Sequence, residues 1–239
     1  MYGTVTESNR PRYPTSRMAV IPAAPETDWS LHQGWLNPDG SRRWQMLLEQ
    51  ELPWEQPVVQ VYGKRHPVPR LTVFLAEEGL QYRYSGAVHT GCGWPAWFMP
   101  LLNGVNATCE TQFNGCLLNL YRHGDDRMGW HADDEPEIDQ RAPIASLSLG
   151  ATRDFQFRHR NTPQRRISMP LADGDLLVMH PGCQNQWMHS VPQRRKVQTK
   201  RINLTFRRFQ NCERSTKPHT GAVNKASSVL QNTKPAARS

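Results

Sequence analysis

No stretch of the 239 residues is apolar over the roughly 20 positions a bilayer-spanning helix needs, and no apolar run follows the basic residues near the N-terminus. The expectation is a soluble intracellular protein of the cytoplasm, nucleus or nucleoid, with no membrane partner and no secretory leader. Cysteine is sparse. Cys92, Cys109, Cys116, Cys183 and Cys212 are odd in number and form no CxxC pair, which argues against a disulfide scaffold or a zinc ribbon and favours a reduced compartment. No segment repeats. Acidic residues are outnumbered, 21 Asp and Glu against 29 Lys and Arg. Basicity alone says little about partners, but its placement says more. "RDFQFRHRNTPQRR" and "RRKVQTKRINLTFRRF" are strongly cationic, whereas the acids gather between Asp125 and Asp139. Such separation suits a surface that meets a polyanion around a locally acidic site.

Residues 1–27 and 211–239 are rich in polar residues, show no hydrophobic periodicity, and are expected to be flexible basic tails around one domain at 28–210. Within it, "NPDGSRRWQMLLEQELPW" reads as a helix capped by Asp39 or Ser41, with Trp44, Leu47 and Leu48 on its apolar face and Pro53 ending it. "PAWFMPLLNGVNATCE" reads as a second helix that Pro100 limits or kinks. From Cys116 onward "CLLNLY", "IASLSL", "DFQFRHR", "ISMPL", "GDLLVMH" and "RINLTFRRF" read as short strands divided by Gly, Asp and Pro. Helices first and strands after place the chain in the α+β class, with a sandwich or jelly-roll core.

Side chains two apart on a strand share a face. In "RINLTFR", Ile202, Leu204 and Phe206 form one face and Arg201, Asn203, Thr205 and Arg207 the other; in "CLLNLY", Asn119 pairs with Tyr121. A polar strand face ordinarily meets solvent. The stretch "GWHADDEPEID" changes that reading. Alone it is a solvated acidic loop, but His131 and Asp133 sit at i and i+2, and His189 follows Asp133 by 56 residues. Two neutral imidazoles and one carboxylate are the facial ligand set of non-haem Fe(II) oxygenases. The positions left open on such an iron suit a 2-oxo dicarboxylic acid. Its far carboxylate calls for a forked, permanently charged partner, as Arg201 and Arg207 offer, with Asn119, Tyr121, Asn203 and Thr205 adding hydrogen bonds.

"NLYRHGDDRMGWHADDE", "MHSVPQ" and "RINLTFR" match, in order, the NxY, HxD, distant His and RxNxTxR pattern of the AlkB family of Fe(II)- and 2-oxoglutarate-dependent nucleic-acid dealkylases, which the chain resembles over roughly residues 55–209. The resemblance implies a double-stranded β-helix (jelly roll) carrying N-terminal helices and a nucleotide-recognition lid at about 55–90. It implies His131, Asp133 and His189 as catalytic iron ligands, with 2-oxoglutarate and O₂ as co-substrates. It gives Arg201 the distal 2-oxoglutarate carboxylate and Arg207 the proximal end.

"VVQVYGKRHPVPR" and "LQYRYSG" are similar to the lid of the branch that repairs double-stranded DNA. That likeness implies Tyr62 as the tip of an inserting finger with Gly63 and Lys64 beside it, Tyr84 as the ring that stacks on the extruded base, and Tyr82 as a nearby polar contact. The finger tip is Tyr where that branch is expected to carry Phe, and "LTVFLAEEGL" does not match its basic stretch. An enzyme that reaches a base inside a duplex must extrude it and hold it afterwards, which gives such a lid its purpose. The implied activity is oxidative demethylation of 1-methyladenine and 3-methylcytosine in DNA, duplex or single-stranded, by a monomer, with RNA as a further nucleic-acid partner. Those bases are cationic, so Asp134 and Glu135 are candidates for contacts to the base edge. Asp125, Asp126, Glu137 and Asp139 are assigned to the surface, and Arg158, Arg160, Arg165 and Arg166 to phosphates. A related dioxygenase acting on RNA bases or protein, or a non-catalytic metal-bearing nucleic-acid binding module, are the alternatives.

Overall fold

A computed structural model of the chain describes residues 20–21, 28–61, 63–84 and 87–210. The two expected tails lie otherwise outside the described residues, as do Tyr62 and the side chain of Tyr84. Fifteen strands occur among those described: β1 (Val20–Ile21), β2 (Trp29–His32), β3 (Val58–Val61), β4 (Lys64–Pro67), β5 (Leu71–Ala76), β6 (Gln81–Tyr84), β7 (Ala87–Thr90), β8 (Gly115–Tyr121), β9 (Met128–His131), β10 (Ile144–Gly150), β11 (Arg153–His159), β12 (Arg166–Leu171), β13 (Leu176–Met179), β14 (Trp187–Val191) and β15 (Arg201–Arg207). Strands therefore also lie ahead of Cys116, which corrects the expected order of helices first and strands after. The edge strand β5 shows no clean alternation, and its register runs from Ala76 opposite Gly115 to Leu71 opposite Leu120, so the pairing has no local signal.

Helix α1 spans Pro38–Glu51 and α2 Met99–Cys109, the latter preceded by a 3₁₀ turn at Ala96–Phe98. The cap of α1 is Asn37 rather than Asp39 or Ser41: its side-chain oxygen accepts the Gly40 N–H at 2.7 Å. Pro38 then fills a first-turn position whose N–H would have no partner anyway. Pro100 does the same for α2, so it starts that helix instead of kinking it. Ser41, freed from capping, donates to Asp173.

Two antiparallel sheets form the core, one ordered β1-β2-β13-β10-β15-β8-β5 and the other β12-β11-β14-β9. This is the jelly roll expected from the strand spacing. The helices cover the outer face of the large sheet. Trp44, Leu48, Phe98 and Leu101 pack there against Leu118, Leu120, Leu147, Ile202, Leu204 and Phe206. Fully burying a side chain of this size stabilises by about 1.5–3 kcal/mol, so this layer fixes which face of each strand points outward. The alternate residues must then point inward. Asn119 and Tyr121 of β8, Ser146 and Ser148 of β10, and Arg201, Asn203, Thr205 and Arg207 of β15 are all buried. Solvent is therefore not where the polar face of β15 goes. It lines the space between the sheets.

One close contact ties the loop after β8 to the 194–197 turn. Gly124 exchanges backbone hydrogen bonds with Val197 and Arg194, and a Cβ added to it would stand 1.7 Å from the Arg194 carbonyl oxygen. Gly124→Ala must push the 194–197 turn away. Overpacking of this kind costs about 1–3 kcal/mol, and at 2–4 °C per kcal/mol a thermal melt should fall by roughly 2–12 °C.

Asp126, expected at the surface, is 3 % exposed and accepts from the Arg122 backbone N–H, Nε and Nη2 at 2.8–2.9 Å. Asp139, likewise expected outside, is 7 % exposed and accepts from the Arg141 N–H and Nε. In both, a carboxylate folds back onto a nearby Arg and the local backbone, which a count of charges cannot foresee. Burial pushes the Asp126 carboxyl up, but the Arg122 hydrogen bonds and charge prevail and hold it below the ordinary range. A depressed value in the folded state means stability that is present above the unfolded pKa near 4 and is lost as pH falls through the folded one. The melting difference between wild type and Asp126→Asn should therefore be largest near neutrality and shrink as pH drops below about 4.

Candidate active site

Strand pairing brings the three separated candidate ligands together. His131 on β9 lies directly opposite His189 on β14 in the ladder, and their ring centroids are 4.2 Å apart. Asp133 follows two residues after His131, where β9 has just ended. One donor atom from each of His131, Asp133 and His189 falls within 4.8 Å of the others. This is the one such His/Cys/Asp/Glu cluster among the described residues.

The protonation states suit a metal. Burial pulls both imidazoles down, His189 to about 3 with the neighbouring His131 contributing, so both are neutral near pH 7. His131 Nδ1 lies 2.9 Å from the Gly129 carbonyl, which calls for an N–H there and leaves the Nε2 lone pair free. Burial would raise the Asp133 carboxyl, but Arg207 and the two histidines hold it at about 2, ionised. Its backbone N–H donates to Gln184 Oε1 at 3.0 Å, and Phe155 stacks on His189 at 5.2 Å.

Beside this cluster lies the inward face of β15. Arg201 Nη2 donates to Ser148 Oγ and Asn203 Oδ1, each at 2.8 Å; Asn203 Nδ2 donates to Thr205 Oγ1 at 2.7 Å; Ser146 Oγ donates to Asn203 Oδ1 at 2.9 Å. Asn119 accepts from Arg70 Nε at 2.7 Å, and the Arg201 guanidinium lies 5.3 Å from the Tyr121 ring centre. Burial pulls the Arg201 guanidinium down to about 10, still protonated near neutrality. Yet its Nε and Nη1, and the Nε of Arg207, are buried without an acceptor among the described residues. Buried N–H groups of a cation are costly to leave unmade, so this cradle fits an anion with several oxygens. Arg207 Nη2 donates to Asp133 Oδ2 at 2.8 Å, which links the cradle to the metal cluster.

Sequence reasoning missed Arg70, Ser146, Ser148, Phe155 and Gln184. The alternation in "IASLSL" carried a signal for the two serines. Arg70 and Gln184 had none, because their partners are 49 and 51 residues away.

At the mouth, the two acidic candidates part ways. Glu135 accepts from the hydroxyl of the buried Tyr82 at 3.1 Å, and burial and the Asp133 charge raise its carboxyl. Tyr82 itself packs on Phe74 and Phe209. Asp134 is exposed and paired with Arg160. Hairpins β3–β4 and β6–β7 occupy the region expected to be a lid; Gly63 makes the first turn with a φ of 76° and Lys64 is exposed. Arg158 and Arg165 lie over the rings of Trp130 and Trp187 at 4.5 and 5.0 Å.

A jelly roll with a His-Asp-His cluster against a buried arginine cradle defines the class of non-haem iron, oxo-acid-dependent oxygenases. The chain belongs to the 2OG-Fe(II) oxygenase superfamily, whose family model matches residues 28–207. This implies Fe(II) as cofactor with 2-oxoglutarate and O₂ as co-substrates, and the donor set and the orphaned guanidinium N–H groups fit both iron and a dicarboxylate. The chain is 41 % identical over 158 residues to the human DNA oxidative demethylase ALKBH2, covering 63 % of this chain and 60 % of that protein. It is 34 % identical over 204 residues to human alpha-ketoglutarate-dependent dioxygenase alkB homolog 3, covering 80 % and 66 %. The match thus spans about three fifths to two thirds of these curated relatives. The AlkB resemblance expected from the motifs is borne out. The solved structure of OsALKBH1 superposes with a TM-score of 0.56 at 20 % identity, covering 78 % of this chain and all of that one, and shows the shared fold.

Proposed function

We propose that the chain is an oxidative demethylase of alkylated bases in DNA, with 1-methyladenine and 3-methylcytosine as leading substrates. The observation that carries this is the junction of the His131–Asp133–His189 cluster with unpaired N–H groups of buried Arg201. In this reading the two histidines and Asp133 hold Fe(II), Arg201 takes the distal carboxylate of 2-oxoglutarate, and Arg207 the proximal end. Asn119, Tyr121, Asn203 and Thr205 align the rest of the molecule. Bound iron with O₂ supplies the oxidising power. The chain's own residues orient the co-substrate, exclude water between the sheets, and present the methyl group. Overall, 2-oxoglutarate, O₂ and a cationic N-methyl base give succinate, CO₂, formaldehyde, the repaired base and one proton.

DNA as substrate is supported by the likeness to the DNA oxidative demethylases ALKBH2 of human and mouse. In this reading Gly63 and Lys64 on the β3–β4 hairpin, with Tyr82, Tyr84, Asp134 and Glu135, would contact the flipped base and its strand. Tyr62 would be the wedge. A monomer, an intracellular setting, RNA as a further partner, and a catalytic domain over 28–210 with basic tails complete the reading. Among the described residues no helix is long and apolar enough to cross a membrane.

The test loads the protein anaerobically with Fe(II) and 2-oxoglutarate, admits air, and follows a 1-methyladenine oligonucleotide by mass, single-stranded and annealed. Loss of one methylene mass that requires 2-oxoglutarate supports the reading. Succinate formation without any mass change rejects the substrate.

A further inference from the structure

An open groove of about 490 Å³ runs from hairpin β3–β4 to the candidate ligand His131 and is not the cavity that holds the cluster. One wall is the cross-strand pair Val59 and His66 with Pro67; the other is strand β9, where partly buried Trp130 lines the groove. Trp130 is the residue before His131. Its ring is capped by the Arg158 guanidinium at 4.5 Å, and Arg158 is itself held against Met188 Sδ at 3.5 Å. Exposed Arg127 lines the groove. Lys64 shares the strand face of His66.

We infer that this groove seats an unpaired nucleobase next to the one being repaired, with Trp130 as its stacking platform. The inference rests on the demethylase reading and narrows it to single-stranded DNA around the lesion. Three features choose this occupant. A flat indole backed by a guanidinium is polarised to stack on a π-face, and every base has one. The apolar wall of Val59 and Pro67 matches a ring, while Arg127 on the groove and Lys64 on the strand face of His66 offer charge for the strand's phosphates. A paired base offers only its edges to such a platform, so the occupant must be unpaired. Because stacking reads no hydrogen-bond pattern, the seat accepts any base.

The test uses the full chain loaded with Mn(II) and 2-oxoglutarate without O₂, so that nothing turns over. A fluorescein-labelled single-stranded 11-mer carries 1-methyladenine at its centre, and its binding is followed by anisotropy. Tetrahydrofuran abasic units replace the neighbouring base on one side or the other. For wild type, one of the two abasic positions should weaken binding by roughly 5- to 150-fold, the range for losing one base–aromatic stack. Trp130→Ala should bind the intact strand as weakly as wild type binds that abasic strand, with no further loss when both changes are combined. Trp130→Phe should recover most of the affinity. Mn(II) titration by EPR checks that the variants keep the adjoining His131 site.

No effect of either abasic unit on wild type overturns the seat without recourse to any variant. Losses that multiply when variant and abasic strand are combined overturn it as well, since the two changes would then be independent. The two readings fail separately. Flank-dependent binding without demethylation in air keeps the seat and removes the demethylase reading. Demethylation that is blind to the flanking bases does the reverse.

Discussion

Arg201→Ala is expected to lower kcat/KM for 2-oxoglutarate by roughly 30- to 4,000-fold, the cost of truncating one partner of a buried, hydrogen-bonded charge pair. The guanidinium is 1 % exposed, and two of its nitrogens have no acceptor among the described residues. A carboxylate placed there would gain a charge-assisted, forked partner in a medium where such bonds are strong. Arg201→Lys keeps the charge but not the fork, and should recover only part of the loss. Affinity for the oligonucleotide should hardly change, because Arg201 faces the interior between the sheets and not the mouth. The variant also takes the Arg201 donor from Ser148 Oγ and leaves Asn203 Oδ1 with Ser146 Oγ alone, so its melting temperature must be measured alongside. Equal loss of 2-oxoglutarate turnover and oligonucleotide affinity would remove Arg201 from its assigned place.

Asp133→Asn carries the other large effect, and it is a double one. The change should abolish tight metal binding, since it replaces the only carboxylate of the cluster with a neutral amide. It should also destabilise the metal-free protein. Elsewhere, removing a buried carboxylate from a vacant metal cluster relieves repulsion. Here Arg207, 3 % exposed, donates to Asp133 at 2.8 Å and would be left as a buried cation with its chief partner gone. Breaking a buried pair on one side costs about 3–5 kcal/mol, which corresponds to a fall of roughly 6–20 °C in the melting temperature. Glu135 also lies near Arg207 and offsets part of this. A melting temperature that stays level or rises, measured with chelator present, would show that the pair adds nothing net.

Both effects depend on residues whose chemistry was visible in the linear chain and whose meeting was not. The alternation in "RINLTFR" determined that Arg201, Asn203, Thr205 and Arg207 would share one face, because side chains on a strand repeat every two residues. The HxD spacing determined that His131 and Asp133 would lie near each other. The order of the motifs carried the family and the jelly roll. The direction of the polar face of β15 was a tertiary decision. It points inward because Ile202, Leu204 and Phe206 are claimed by the helices packed on the other side of the sheet. The 56 residues between Asp133 and His189 are closed by the β9–β14 ladder, and no local pattern encodes a pairing at that range. Arg70 beneath Asn119, Gln184 beneath Asp133, and Asp126 drawn inside by Arg122 were likewise settled only on folding. A polar side chain's partner is chosen by which strands become neighbours, whereas its face is chosen by the backbone's own period. Faces can therefore be read along a sequence, and partners have to be seen.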